Sequence, residues 1–230
     1  KYVAALRGQR ARAVILAGSR VDDDHLQRRL RAELDAFESS GGRAVTISQN
    51  KLSTDTVVVE NRAGARALAG ALAGLGHRRF AVLAGPRGVL AARDRLLGFR
   101  EGLARAGVRL PAESVWHGEF TREGGREAMS RLLATGLDAT CVFAVNDVMA
   151  LGAMCTLREA GVAVPGEVAI AGFDDINTLL DVTPSLTTVT LPLEQLGASA
   201  VDLLAQPPAP RPRLRRVKGE VALRESTPPL

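Results

Sequence analysis

No stretch of the 230 residues reaches the roughly 18 consecutive apolar positions that would cross a bilayer. The first residues, Lys1-Tyr2-Val3-Ala4-Ala5-Leu6-Arg7, also lack the apolar centre of a secretory leader. A cytoplasmic protein with no membrane partner is the expectation. Cysteine is scarce: Cys141 and Cys155 lie 14 positions apart, a spacing that fits neither a CxxC redox pair nor a zinc-ligand pattern. The three histidines, His25, His77 and His117, are scattered and form no HExxH, so neither a metal nor any cofactor is expected. There is no GxSxG elbow and no recognisable grouping of Ser or Cys with His, which argues against a hydrolase and against an enzyme generally. Lysine is nearly absent, limited to Lys1, Lys51 and Lys218, and the basic set is dominated by arginine.

The net charge of +5 invites a nucleic-acid reading, but its location tells against one. Arg211, Arg213, Arg215, Arg216 and Lys218 account for all of it, leaving the remainder of the chain neutral. A neutral body has no broad phosphate-binding footprint. The segment from Gln206 to Lys218, with Pro207-Pro208-Ala209-Pro210-Arg211-Pro212 at its start, reads as a solvated connection.

What is present is ample apolar material, 46% hydrophobic residues against 24% charged, enough for a substantial core. Short runs rich in Val, Ile and Ala alternate with amphipathic stretches, the pattern of βα units on a parallel sheet. The strand candidates are 13–17, 45–47, 56–59, 80–84, 115–117, 141–145, 168–172 and 186–189. The helix candidates are 24–39, 61–75, 90–106, 121–135, 147–160 and 193–205. Gly76, Gly107, Gly136 and Gly161 follow four of these where a left-handed stop belongs. Thr121, Asp147 and Asn61 are the expected N-caps, and Asp22-Asp23-Asp24 also reads as capping. Gly85-Pro86-Arg87-Gly88 lies between a strand and a helix, where a phosphate loop would sit, but with neither GxGxxG nor GxxxxGK[ST] spacing it reads as a tight turn.

Polar residues gather at the C-terminal ends of apolar strands, the edge at which open α/β sheets bind ligands. Gly18-Ser19-Arg20, Gly118-Glu119-Phe120, Asn146-Asp147 and Phe173-Asp174-Asp175 each follow a strand, so four strand ends are expected on one rim. Amide, carboxylate, guanidinium and aromatic groups suit a polyhydroxylated small molecule. At any single position, helix capping explains the Asn or Asp equally well.

At these residues the chain resembles the effector-binding domains of the lactose-repressor/galactose-repressor family of transcription regulators. The matching motifs, in family order, are Gly76-His77-Arg78-Arg79-Phe80 through Gly85-Pro86, Arg95 through Leu103, Asn146-Asp147-Val148-Met149-Ala150-Leu151-Gly152, Val164-Pro165, Gly172-Phe173-Asp174-Asp175, Pro184 through Val189, and Leu223-Arg224-Glu225-Ser226. The resemblance implies an α/β protein of the periplasmic-binding-protein type I fold, with two Rossmann-like lobes and a ligand cleft between them. It implies a first lobe of 1–60 plus 191–215 and a second of 61–190 plus 216–230. It further implies Arg95, Asn146 and Asp174 as effector ligands, Phe120 as a stacking aromatic, and Ser19 and Ser48 as first-lobe candidates. Ser48 stands where some sugar-binding members carry an acid. Because Arg95 is taken as a ligand-facing fork, its replacement by Ala is expected to leave the fold intact.

By the same resemblance the partners are a small-molecule effector, favoured as a carbohydrate, a second copy in a homodimer, and operator DNA. DNA would be contacted through a helix-turn-helix domain that this sequence does not include. Met149, Leu151, Met154, Leu179 and Leu180 read either as apolar contacts of the dimer seam or as core. The function implied is a ligand-responsive repressor or activator. The rival is a solute receptor that hands a sugar to a transporter on the same fold.

Overall fold

The computed structural model describes residues 2–230. In chain order the elements are helix α1 (Tyr2–Gly8), β1 (Ala13–Ala17), α2 (Asp24–Ser39), β2 (Arg43–Ile47), β3 (Asp55–Val59), α3 (Asn61–Gly74), β4 (Phe80–Ala84), α4 (Leu90–Arg105), β5 (Val115–His117), α5 (Arg122–Ala134), β6 (Cys141–Ala144), α6 (Asp147–Glu159), β7 (Ala169–Ala171), β8 (Thr188–Thr190), α7 (Leu193–Ala205), β9 (Leu214–Val217) and β10 (Glu220–Ala222). They form two compact units. One comprises the chain up to Glu60 together with Pro192–Lys218, the other Asn61–Leu191 together with Gly219–Leu230. None of the described helices is long and apolar enough to cross a membrane.

The first unit is built on an all-parallel sheet of order β1-β2-β3-β9. Val45, Val57, Leu196, Ala200, Leu203 and Val217 fill one side, and Val3, Leu34, Phe37, Ala44 and Leu52 the other. β1 is an edge strand whose Ala13, Ile15 and Ala17 are exposed, so unlike β4 and β6 it is not covered on both faces. The expected solvated connection holds for the exposed, irregular run 207–212 and is corrected beyond it. Residues 214–217 form a strand parallel to β3, and the arginines in it and just before it are paired: Arg213 with Asp55 at 2.9 Å, Arg215 with Asp202 at 3.1 Å, and Arg216 with Glu60 at 2.7 Å. Two adjacent arginines between Leu214 and Val217 gave neither a continuous apolar run nor an alternation, so the strand was hidden in the sequence.

The second unit carries a parallel sheet of order β5-β4-β6-β7 and a small antiparallel pair, β8 with β10. β4 and β6 are buried throughout, as central strands with helices on both faces must be. Phe99 stacks on Phe143 at 4.4 Å between centroids, and Phe80 meets Phe99 edge-on at 5.7 Å. The helices pack in two intimate pairs, α3 with α4 and α5 with α6. Glycine permits both approaches. A Cβ at Gly98 would strike the Arg62 carbonyl, and one at Gly152 the Arg122 carbonyl, well inside contact distance.

Helix ends follow local chemistry. Asp23 and Thr121 accept from the amides of Leu26 and Gly124, and Gly76, Gly107, Gly136 and Gly161 all take positive φ. Two expected caps are corrected. Asn146, not Asp147, caps α6, accepting from the Met149 amide at 2.8 Å, while Asp147 is the buried first helical residue. Asn61 is likewise buried within the first turn of α3, and its side chain is turned to Arg95. Of the residues that could have formed a seam, Met149 and Leu179 belong to the core, whereas Leu180 is 89% exposed.

The glycine seam gives a paired test. Gly98→Ala forces α4 away from α3 and is expected to cost about 1–3 kcal/mol, lowering the melting temperature by several degrees. Gly70→Ala, on an open face of α3 with nothing within 4 Å, is expected to stabilise by about 0.5–1 kcal/mol. Equal shifts in thermal denaturation would overturn the seam as the cause.

Candidate functional site

The site is assembled at the C-terminal edge of the second unit's sheet around Arg95, which α4 points inward and which is only 5% exposed. A buried guanidinium must be supplied with acceptors. Three are provided by three different elements. Nε donates to Asn61 Oδ1 at 2.8 Å, Nη1 to the Val145 carbonyl at 2.8 Å just past β6, and Nη2 to Asp174 Oδ1 at 2.7 Å just past β7. The guanidinium carbon sits 4.0 Å from the centroid of the Phe173 ring and 6.0 Å from that of Phe120. Three of the five N–H donors are thus engaged, leaving one on each terminal nitrogen for a guest.

Asp174 is held in an uncommon backbone conformation. It has φ 118°, followed by Asp175 at φ 58°, neither being glycine. Neighbours impose the turn. The Asp174 amide donates to the Val189 carbonyl at 3.0 Å, and the Ile176 amide to Asp147 Oδ2 at 3.0 Å. Arg224 grips Asp175 with both terminal nitrogens, at 2.8 and 2.9 Å. The terminal motif is therefore a clamp: Ser226 Oγ donates to the Ile170 carbonyl at 2.7 Å, and Glu225 accepts from the Ser185 amide and hydroxyl, both at 2.9 Å. Asp174 Oδ2 has no hydrogen-bond partner among the described residues and remains an open acceptor.

Three carboxylates sit close together here with different electrostatics. Burial pushes the Asp174 carboxyl up, and Arg95 draws it partly back. Burial also raises Asp147, opposed by hydrogen bonds from Thr188 Oγ1 and the Ile176 amide and reinforced by the nearby Asp174 charge. Asp175 moves the other way, its carboxyl held below the usual range by Arg224.

Of the expected site residues, the structure brings Arg95, Asp174 and Phe120 together. Asn146 has its Oδ1 committed to the α6 cap, which leaves its amide NH₂ as a donor. Ser19 and Ser48 belong to the first unit, where Ser48 donates to the Gly18 carbonyl at 2.6 Å and accepts from Arg20 Nε at 2.9 Å, fastening that turn. Of the four expected strand ends, those of β5, β6 and β7 share one sheet, and that of β1 belongs to the sheet of the first unit. The expectation that Arg95→Ala spares the fold is corrected as well. The side chain is buried, and its loss would strand Asp174 without its counter-charge. Sequence reasoning missed Asn61 and Phe173 as supports of Arg95. The Phe173 signal was its place between Gly172 and Asp174, while Asn61 gave none beyond capping chemistry.

A family model described as a periplasmic binding protein-like domain matches residues 69–227. The HTH-type transcriptional regulator CelR of Thermobifida fusca is 37% identical over 164 residues, covering 71% of this chain and 48% of that protein. The ribose operon repressor of Escherichia coli strain K12 is 40% identical over 129 residues, covering 56% of this chain and 39% of that protein. The chain thus spans about half or less of the length of these curated relatives. A solved LacI family transcriptional regulator from Enterococcus faecium with bound ribose superposes with a TM-score of 0.84 at 28% identity, covering 100% of this chain and 84% of the other.

The opposed shifts yield a signed pH test. A carboxyl raised on folding contributes stability that is fully present below its unfolded value, near 3.8, and lost as pH rises through the folded one. Asp147→Asn should therefore gain stability relative to the parent as pH is raised from 4 to 7. Asp175→Asn should lose stability relative to the parent as pH is raised from 2 to 5, because the lowered carboxyl stabilises only once ionised. Melting temperatures across pH check both, and a difference that does not vary with pH refutes the corresponding assignment.

Proposed function

The chain belongs to the periplasmic-binding-protein-like domain family, in the branch carried by LacI-family transcriptional regulators, and from this premise we propose that it is the effector-binding module of a ligand-responsive, DNA-binding repressor. The observation that carries the reading is the Arg95–Asp174 pair at the strand ends, with unused donors on the arginine and an unused acceptor on the carboxylate. Such a set binds adjacent hydroxyls, donating to one and accepting from its neighbour. Asn146 adds a further donor.

The charge at the site selects among effectors. Arg95 is already neutralised by Asp174 at 2.7 Å, and Asp147 lies beneath, so the site offers no net positive charge to an anionic guest. An uncharged sugar fits this balance, in keeping with the ribose bound to the Enterococcus faecium regulator. The regulator names of the relatives favour repression over the transport reading. In this reading the whole protein acts on operator DNA as a homodimer in the cytoplasm. Effector binding shifts the equilibrium between the DNA-competent and incompetent arrangements by its difference in affinity for the two.

Calorimetry against uncharged mono- and disaccharides, beginning with ribose and cellobiose, tests the reading. One is expected to bind with one-to-one stoichiometry, and Asp174→Asn to weaken it at least about tenfold, the loss of one charge-assisted hydrogen bond. Undiminished affinity in that variant would remove Asp174 from the site.

A further inference from the structure

Gly85, Pro86 and Arg87 of the turn after β4 form one wall of a separate cavity of about 240 Å³ on the flank of α4. The other walls come from Arg93, Leu96, Leu97 and Arg100 on α4 and from His117 at the end of β5. Arg87, Arg93, Arg100 and His117 line this space, Arg93 being already partnered, and no acidic side chain does so among the described residues. Arg87 and Arg100 have no ion pair or hydrogen bond among the described residues. The acid next to Arg100 in sequence, Glu101, is turned to Arg62 and Arg66 instead. The Nδ1–H of His117 donates to the Gly85 carbonyl at 2.9 Å, which fixes the ring and leaves Nε2 as the nitrogen open to an incoming group. Opposite the charges, Pro86, Leu96 and Leu97, the last 36% exposed, supply an apolar wall.

We propose that this cavity is a second ligand site, for a phosphate monoester. Two unpaired guanidinium forks match the tetrahedral oxyanion, and the leucine wall covers the organic part of the ester. The volume is that of a phosphate with a small apolar substituent, not of a disaccharide. The site is distinct from the sugar site, because Arg95 lies on the buried side of the same helix with its charge already matched.

Calorimetry with inorganic phosphate and with phenyl phosphate, at fixed ionic strength, tests the proposal. Both are expected to bind saturably with one-to-one stoichiometry, phenyl phosphate the tighter. Arg100→Ala and Arg87→Ala should each weaken both by at least about tenfold. Leu97→Ala should weaken phenyl phosphate and leave inorganic phosphate unchanged. Neither arginine variant should change the affinity for the sugar, whose ligands Arg95 and Asp174 lie elsewhere, so failure here and failure of the sugar reading are separable. Non-saturable heats, or affinity undiminished in the two arginine variants, overturn it.

Discussion

A guanidinium removed from water dictates the construction of the second unit. Arg95 cannot be buried unless acceptors reach it from several directions, because an ionised group left unmatched in a protein interior costs several kcal/mol. α3 supplies an amide oxygen, the end of β6 a main-chain carbonyl, and the end of β7 a carboxylate, while Phe173 closes one face of the plane. Each partner arrives on a different segment, so the site exists only when the sheet and both helices of that pair are in register. The positive φ of Asp174 follows from the same demand. The chain past β7 must turn sharply to present the carboxylate, and the Arg224 clamp, with Asp147 holding the Ile176 amide, keeps it there.

The packing of α3 on α4 and the hydrogen bond that orients Arg95 are one device. Gly98 lies against the Arg62 carbonyl, and one turn earlier on α4, Arg95 meets Asn61, the residue before Arg62. A side chain at 98 would open the seam and lengthen the Nε contact together. Gly64 contributes on the other side: a Cβ there would press on the Phe173 ring at 3.1 Å. Small residues thus set the position of two groups that touch the guanidinium, though none is polar. Substitutions at 98 or 64 are for this reason expected to couple stability to ligand affinity.

Much of this was legible in the sequence where the signal was local. β1, β4, β5, α2 and α7 occupy the residues that periodicity marked, and the glycine stops at 76, 107, 136 and 161 lie at positive φ. The family resemblance, carried by ordered motifs, agrees with the matching domain model and with the superposed regulator. What was hidden depends on partners distant in sequence. β9 is a strand because β3 offers it a ladder and because Asp202 and Glu60 neutralise its arginines and Asp55 the Arg213 before it, and β3, Asp55 and Glu60 lie more than a hundred positions away. Asn146 and Asp147 are adjacent and both able to cap. The choice was settled by Thr188, from β8, which claims the Asp147 carboxylate, and by the fit of the Asn146 amide oxygen to the Met149 amide. Asn61 as a support of Arg95 needs contact across 34 positions, beyond any local pattern.

Arginine on α4 shows how burial decides what a charge is for. Arg95 and Arg100 stand five residues apart, hence on different faces of one helix. The first is matched internally, so what remains to a ligand is hydrogen-bond geometry without net charge, the means by which a neutral polyol is distinguished from an anion. The second has no partner carboxylate among the described residues, so its attraction for an oxyanion is undiminished by a competing ion pair. Substituting Glu101 would leave that difference in place, since Glu101 serves Arg62 and Arg66. An acid introduced beside Arg100 would abolish it, turning a site selective for charge into one that is not.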